Sequence, residues 1–301
     1  AGKIPVIGIT HNYSLNYLLN LDYVFATTQD LAHKLLNLGY EKTKIFHVPN
    51  MINTSFYQSV TCLSDSPIRL SREGGNLGSP HHSCKSRDSY PVMNNDWIPA
   101  YAGMTDKNAE MINKNTRIHP TIGVIGRFVK KKGFDIFIQA LSILNNEGIK
   151  FQAIIAGDGE ESSYLKELTK NLNLTKIIKF PGWIKDKEKF FSSIDIFCLP
   201  SIHEPFGIVL LEALLHNKPT VSFRSEGPSE IGTDKKTVLF AKLGDAHDLA
   251  KKIKLLISDQ ILSLKLAKAG NNLIREKYSL DMVQKSLDKY INQINSNFIK
   301  T

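Results

Sequence analysis

Short apolar runs, each closed by glycine, proline or a polar residue, alternate with amphipathic stretches along most of the chain. Residues 121–126 (TIGVIG) predict a strand. Residues 134–144 predict a helix, because Phe137, Ala140, Leu141 and Leu144 recur at the spacing of one helical face. The alternation continues with a strand and turn in 150–159, a helix over 160–172, and strand KIIKF (176–180) closed by the turn PGW. A helix over 186–193 begun by Asp186, strand IDIFCLP (194–200), a helix opening near Phe206 and strand KPTVSF (218–223) follow. A short strand TVLF (237–240) and helices near 246–257, 260–276 and 280–296 end the chain. Strand–helix alternation of this length predicts a doubly wound α/β domain with a parallel sheet.

The first fifty residues supply part of a second such unit. Residues 5–10 read as a buried strand ending at His11, and YVFAT (23–27) as another. A helix follows in which Thr27 and Asp30 are placed as a capping box and Gly39 lies just past the end. KIFHVPN (44–50) gives a further strand closed by a Pro-Asn turn. Between the two parts the pattern lapses. Residues 61–107 hold seven Ser, four Gly and four Pro with few aliphatics, a composition that cannot bury much surface, so a disordered insertion is expected. Part of it, NNDWIPAYAGMTDKN, resembles translated palindromic repeat elements inserted in some bacterial genes. The expected organisation is residues 1–60 as the end of one Rossmann-like domain and 61–115 as insertion and linker. Residues 116–279 then form a complete second domain, and 280–301 a C-terminal helix that crosses back to the first.

With 301 residues and 42% hydrophobic content the chain can bury two cores, and no apolar run reaches the length of a membrane-spanning helix. The formal charge of +9 favours anionic partners. Lys185, Lys187, Lys189, Lys251, Lys252 and Lys254 scatter through helices without an aromatic platform or zinc-finger spacing, so they read as a solvated basic face and nucleic acid is not expected. Cys62, Cys84 and Cys198 have no CxxC spacing, and Cys198 falls in an apolar run; a reducing cytosol is the expected compartment. His81, His82 and Cys84 lack a fourth ligand at a zinc-like spacing, and no metal site is expected.

In open parallel sheets ligands bind beyond the carboxyl ends of the strands. After the strand at 121–126 comes GRFVKKKGF, where Gly126 permits a tight turn and Arg127 and Lys132 offer a planar fork and a point charge for phosphate oxygens. After the strand at 194–200 comes SIHEPFGIVLLEALLHNKP (201–219), with Glu204 and Glu212 eight positions apart about a helix start. The pair could grip two ends of a ligand at helix-terminal N–H groups; alternatively both glutamates form ion pairs in a buried helix. The absence of G-x-G-x-x-G and Walker A sequences disfavours nicotinamide dehydrogenases and P-loop enzymes.

In order and spacing, GRFVKKKG, AGDGEE, FPGW, IDIFCLPSIHEPFGIVLLEAL and EGPSEI resemble the retaining GT-B glycosyltransferases of family four (glycosyl transferases group 1). The resemblance covers about 121–294 well and 5–56 more weakly. It implies an α/β GT-B fold of two Rossmann-like domains facing a cleft, the N-terminal one incomplete here. The implied activity is transfer of a sugar from a nucleotide-diphosphate sugar to a glycan or lipid-linked acceptor, in bacterial envelope polysaccharide or lipopolysaccharide synthesis. The donor is a co-substrate, and no cofactor or metal is implied. By the resemblance Arg127 and Lys132 neutralise the diphosphate and Glu204 contacts the donor sugar. Gly126, Phe206 and Gly207 lie along the donor, Trp183 and Ile184 frame the base, Glu212 accepts from the ribose, and His11 reaches the reaction centre. The loop containing Glu230 lines the donor pocket. A cytoplasmic enzyme visiting an acidic membrane surface at the inner face of the plasma membrane fits the charge. The alternative implied is a catalytically inactive nucleotide-sugar-binding remnant.

Overall fold

Two parallel sheets carry the architecture. The computed structural model describes residues 6–10, 15, 18, 21–54 and 119–299; His11 and the 61–115 insertion, with Cys62, His81, His82 and Cys84, lie outside the described residues. Strands β4 (Thr121–Ile125), β5 (Gln152–Ala156), β6 (Ile178–Gly182), β7 (Ile196–Leu199), β8 (Thr220–Phe223) and β9 (Leu239–Ala241) form a six-stranded sheet in the order β6-β5-β4-β7-β8-β9, parallel throughout. The chain winds outward from β4 to β6, then returns to the other side of β4 at β7. The topological switch point therefore lies between β4 and β7, where a crevice opens beyond the strand ends.

Period-two alternation divides each strand between two cores. Ile122 and Val124, Ala153 and Ile155, and Ile196 and Cys198 face α2 (Phe134–Asn146), α3 (Ser162–Asn171) and α7 (Ala246–Ser258). Ala156, Phe197, Leu199 and Phe240 face α4 (Lys187–Ser193), α5 (Ile208–Leu215) and α8 (Gln260–Lys277). Helices on both faces explain why β7 and β8 are buried at every position. Two sequence expectations need adjusting here. The strand read as KIIKF runs on through Pro181 and Gly182, which an edge strand tolerates because that side of its backbone has no partner strand. The stretch read as the loop SEGPSEI is a short helix, α6 (Glu226–Ile231).

The smaller sheet has the parallel order β1 (Ile7–Ile9), β2 (Tyr23–Ala26), β3 (Ile45–His47), with α1 (Gln29–Asn37) after β2. Thr28 caps α1, its hydroxyl accepting from Leu31 N–H at 3.2 Å. Thr27, expected in that role, instead donates its hydroxyl to the Thr10 carbonyl at 2.9 Å, tying the ends of β1 and β2 together. Beyond β3 the chain pairs with the far end of the molecule: Ile52 N–H donates to Tyr278 and Leu280 N–H to Ile52. Helix α9 (Leu280–Ile299) then lies against the small sheet, with Val283 and Ile294 buried among Phe25, Phe46 and Val48, and Tyr290 4.9 Å from Phe46 between ring centroids. No helix among the described residues is long and apolar enough to cross a membrane.

Candidate functional site

The loops after β4 and β7, the two strands flanking the switch point, are bound to each other. Gly126 N–H donates to Ala156 as the chain leaves β4, and Phe128 N–H to the Asp158 carbonyl, while the Phe128 ring is buried edge-on to Phe134. Arg127 between them stays exposed. A single 3-10 turn, Lys130–Lys132, brings the Lys131 carbonyl to the β7 loop, where Ile202 and His203 N–H groups donate to it at 2.9 and 3.3 Å. This fixes Lys132 beside Glu204.

The consequence is an ion pair: Lys132 Nζ to Glu204 Oε2 is 2.5 Å, and Ser201 Oγ donates to the same oxygen at 3.3 Å. Glu204 lies before the helix, on the turn; Gly207, in the left-handed region at φ 99°, is the cap from which α5 starts. A side chain there would be strained, which accounts for glycine at the end of EPFG. Phe206 is buried edge-on to Tyr278 and anchors the turn.

Glu212 also has a cationic partner. Lys187, the first residue of α4, donates to both of its carboxylate oxygens at 2.7 and 2.9 Å. Both glutamates are thus in ion pairs, the arrangement held open from sequence, but the pairs stand around a cavity. A space of about 460 Å³ is lined by Gly126, Arg127, Lys132, Trp183, Ile184, Glu204, Phe206 and Gly207, with Lys187 and Asn50. Glu212 itself is not among the lining residues; its partner Lys187 is. His11 is outside the described residues.

Sequence reasoning missed Asn50 and Lys187 as lining residues. By sequence Lys187 belongs with the solvated lysines, and nothing in spacing separates it from Lys185 or Lys189; only the fold aims it at Glu212. Asn50 reads as part of a turn. A second groove of similar volume lies between β6 and α4, floored by Ile154, Pro181 and Phe190 with Lys179, Lys185 and Lys189 among its lining. It contains neither switch-point loop, and lysine with proline on β6 is the ordinary protection of an edge strand.

Comparison with known proteins bears on the fold and the family. The chain is 34% identical over 164 residues to the lipopolysaccharide core biosynthesis glycosyltransferase LpsE of Rhizobium meliloti (54% of this chain, 47% of the relative). It is 36% identical over 155 residues to LpsD of the same organism (52% and 44%). The chain thus spans about half the length of the curated relatives it matches. In fold it is similar to Anabaena Alr3699/HepE, a structure in complex with UDP and glucose, with a TM-score of 0.70 at 19% identity over 96% of this chain and 71% of that one. The architecture is GT-B. The model of the family described as glycosyl transferases group 1 matches residues 107–273, more than half of the 301. The chain belongs to the glycosyl transferases group 1 family.

Proposed function

We propose that the chain is a glycosyltransferase that moves a sugar from a nucleotide-diphosphate sugar to a glycan or lipid-linked acceptor in bacterial envelope polysaccharide synthesis, with retention and without a metal. The observation that carries this reading is the convergence of the β4 and β7 loops on one cavity, whose lining holds two cations, Arg127 and Lys132, together with the Glu204 turn. Arg127 and Lys132 meet the diphosphate and stabilise the departing nucleotide, supplying the charge that a metal would otherwise bring. Glu204 accepts from the donor sugar, and the Phe206–Gly207 backbone follows it. Trp183, 67% exposed at the cavity, offers a face for the base, and Glu212 accepts from the ribose once Lys187 shares its oxygens. The relatives LpsE and LpsD, both of lipopolysaccharide core biosynthesis, support the envelope role, and the UDP and glucose in the HepE structure support the donor class. The net charge of +9 supports work at an acidic inner membrane face.

The test is calorimetric titration of the full chain with UDP-, GDP- and ADP-sugars, followed by a transfer assay with membrane extracts as acceptor. Binding with transfer, both reduced about a hundredfold but still measurable in Arg127→Ala and Glu204→Ala, is the expected result. Binding without transfer or hydrolysis identifies the inactive remnant instead. Failure to bind any donor overturns the reading.

A further inference from the structure

We propose that Glu226 is a positioning residue: its carboxylate, acting with the Gly227 N–H, clamps the Glu204 peptide from both sides and so sets where the Glu204 side chain meets the donor. This rests on the functional reading of Glu204 above. Glu226 Oε2 accepts from the Glu204 N–H at 3.1 Å, and the Gly227 N–H donates to the Glu204 carbonyl at 2.9 Å. Glu226 Oε1 lies 2.6 Å from His203 Nδ1. An ionised carboxylate only accepts, so the imidazole carries its proton on Nδ1 and donates it. Two consecutive residues of the β7 loop are therefore tied to two consecutive residues of α6.

The fit is close. A Cβ on Gly227 would run into the backbone of Phe206, so the α6 start packs directly on the EPFG turn. An acid in the first turn of a helix ordinarily serves the helix's own N–H groups; here both carboxylate oxygens also reach the neighbouring loop. Burial pushes the Glu226 carboxyl up, but the N–H groups of Glu226 and Glu204 and the His203 side chain outweigh it and hold the group below the usual carboxylate value, ionised for both contacts. Glu204 has one side-chain rotor after another between its backbone and its carboxylate. Fixing the peptide on both sides leaves only those rotors to be ordered by Lys132 and Ser201.

The full chain is compared as wild type, Glu226→Gln, Glu226→Ala, Glu204→Ala and the Glu204→Ala/Glu226→Ala double variant. Without ligand, Glu226→Ala should raise amide exchange about tenfold at residues 203–207 while β4 and β5 stay protected, and Glu226→Gln, which keeps an acceptor, should restore most of the protection. With UDP-glucose and GDP-mannose as probes, Glu226→Ala should weaken donor binding or turnover about tenfold in the wild-type background and add nothing in Glu204→Ala. Unchanged exchange at 203–207, or additive losses in the double variant, overturns the proposal. Should the wild type bind neither donor, the functional reading fails on its own, and the exchange result still decides the clamp.

Discussion

Lys132 and Glu204 hold each other in the lining of the cavity at 2.5 Å, with 23% and 10% of their side chains exposed. Removing one partner leaves a largely enclosed charge, whereas removing both charges does not. Lys132→Met should therefore lower stability by about 1–3 kcal/mol, and Lys132→Met/Glu204→Gln should recover a large part of that loss in a chemical denaturation series. Donor binding should be lost in both. If the double variant were no more stable than Lys132→Met, the pair would be contributing nothing as a pair.

Glu212 tests which end of the site serves the ribose. Glu212→Ala removes the acceptor and frees Lys187, so the affinity for UDP or GDP should fall about tenfold, ~1.4 kcal/mol, while that for inorganic diphosphate stays the same or rises. Calorimetry with the two classes of ligand gives the comparison. An equal loss for inorganic diphosphate would place Glu212 in general support of the site and remove its ribose role.

How much of this was legible beforehand follows from how local each determinant is. The order of strands and helices from residue 121 on is written in runs such as TIGVIG and IDIFCLP, whose apolar character is continuous because helices cover both faces of the sheet. Arg127, Lys132 and Glu204 could be picked out because each occupies a strand-end loop with a glycine or proline beside it, and Gly207 because it is the glycine of a helix start. Lys187 and Asn50 could not, since their importance comes from which element packs opposite. The Thr27 and Thr28 exchange has the same origin. Both hydroxyls suit a cap, and the contact of Thr27 with Thr10, 17 positions away, decides between them. Glu226 likewise reads as one more residue of a loop until that stretch is seen as α6, packed against the EPFG turn.

Glu230 joins the large domain to the small sheet. Its Oε2 accepts from Gln29 N–H at the start of α1 at 2.8 Å, and its Oε1 lies 3.1 Å from His47 Nε2, an electrostatic approach without the alignment of a hydrogen bond. The carboxylate thereby faces the positive end of α1. Glu230→Ala should increase amide exchange in α1 and β3 and lower the melting temperature by a few degrees, about 1 kcal/mol. Exchange in α2 and β4 should not change. Protection in α1 that is indifferent to the substitution would show that α9 and the Ile52 pairing hold the small sheet without Glu230.

His216, just past α5, stacks on Phe191 with ring centroids 4.7 Å apart and planes 20° from parallel. Burial, aided by the nearby Lys218 charge, pushes its imidazole down from 6.5 to about 4. The unfolded chain thus takes up this proton near pH 6.5, and the folded chain only near pH 4. The contribution is complete above pH 6.5 and is lost progressively as the pH falls towards 4, at ~1.4 kcal/mol per unit, about 3 kcal/mol over the window. Depressed carboxylates such as Glu226 and Asp245 keep their contribution above the usual 4.5 and 3.8 and lose it as the pH falls from there through their lower folded values, so they touch only the acid end of this window. Urea unfolding of wild type and His216→Gln at half-unit steps from pH 7 to 4 isolates the histidine. The wild type should lose stability across the whole window and the variant should stay nearly level until about pH 5; parallel curves for the two proteins would mean that another group governs the acid limb.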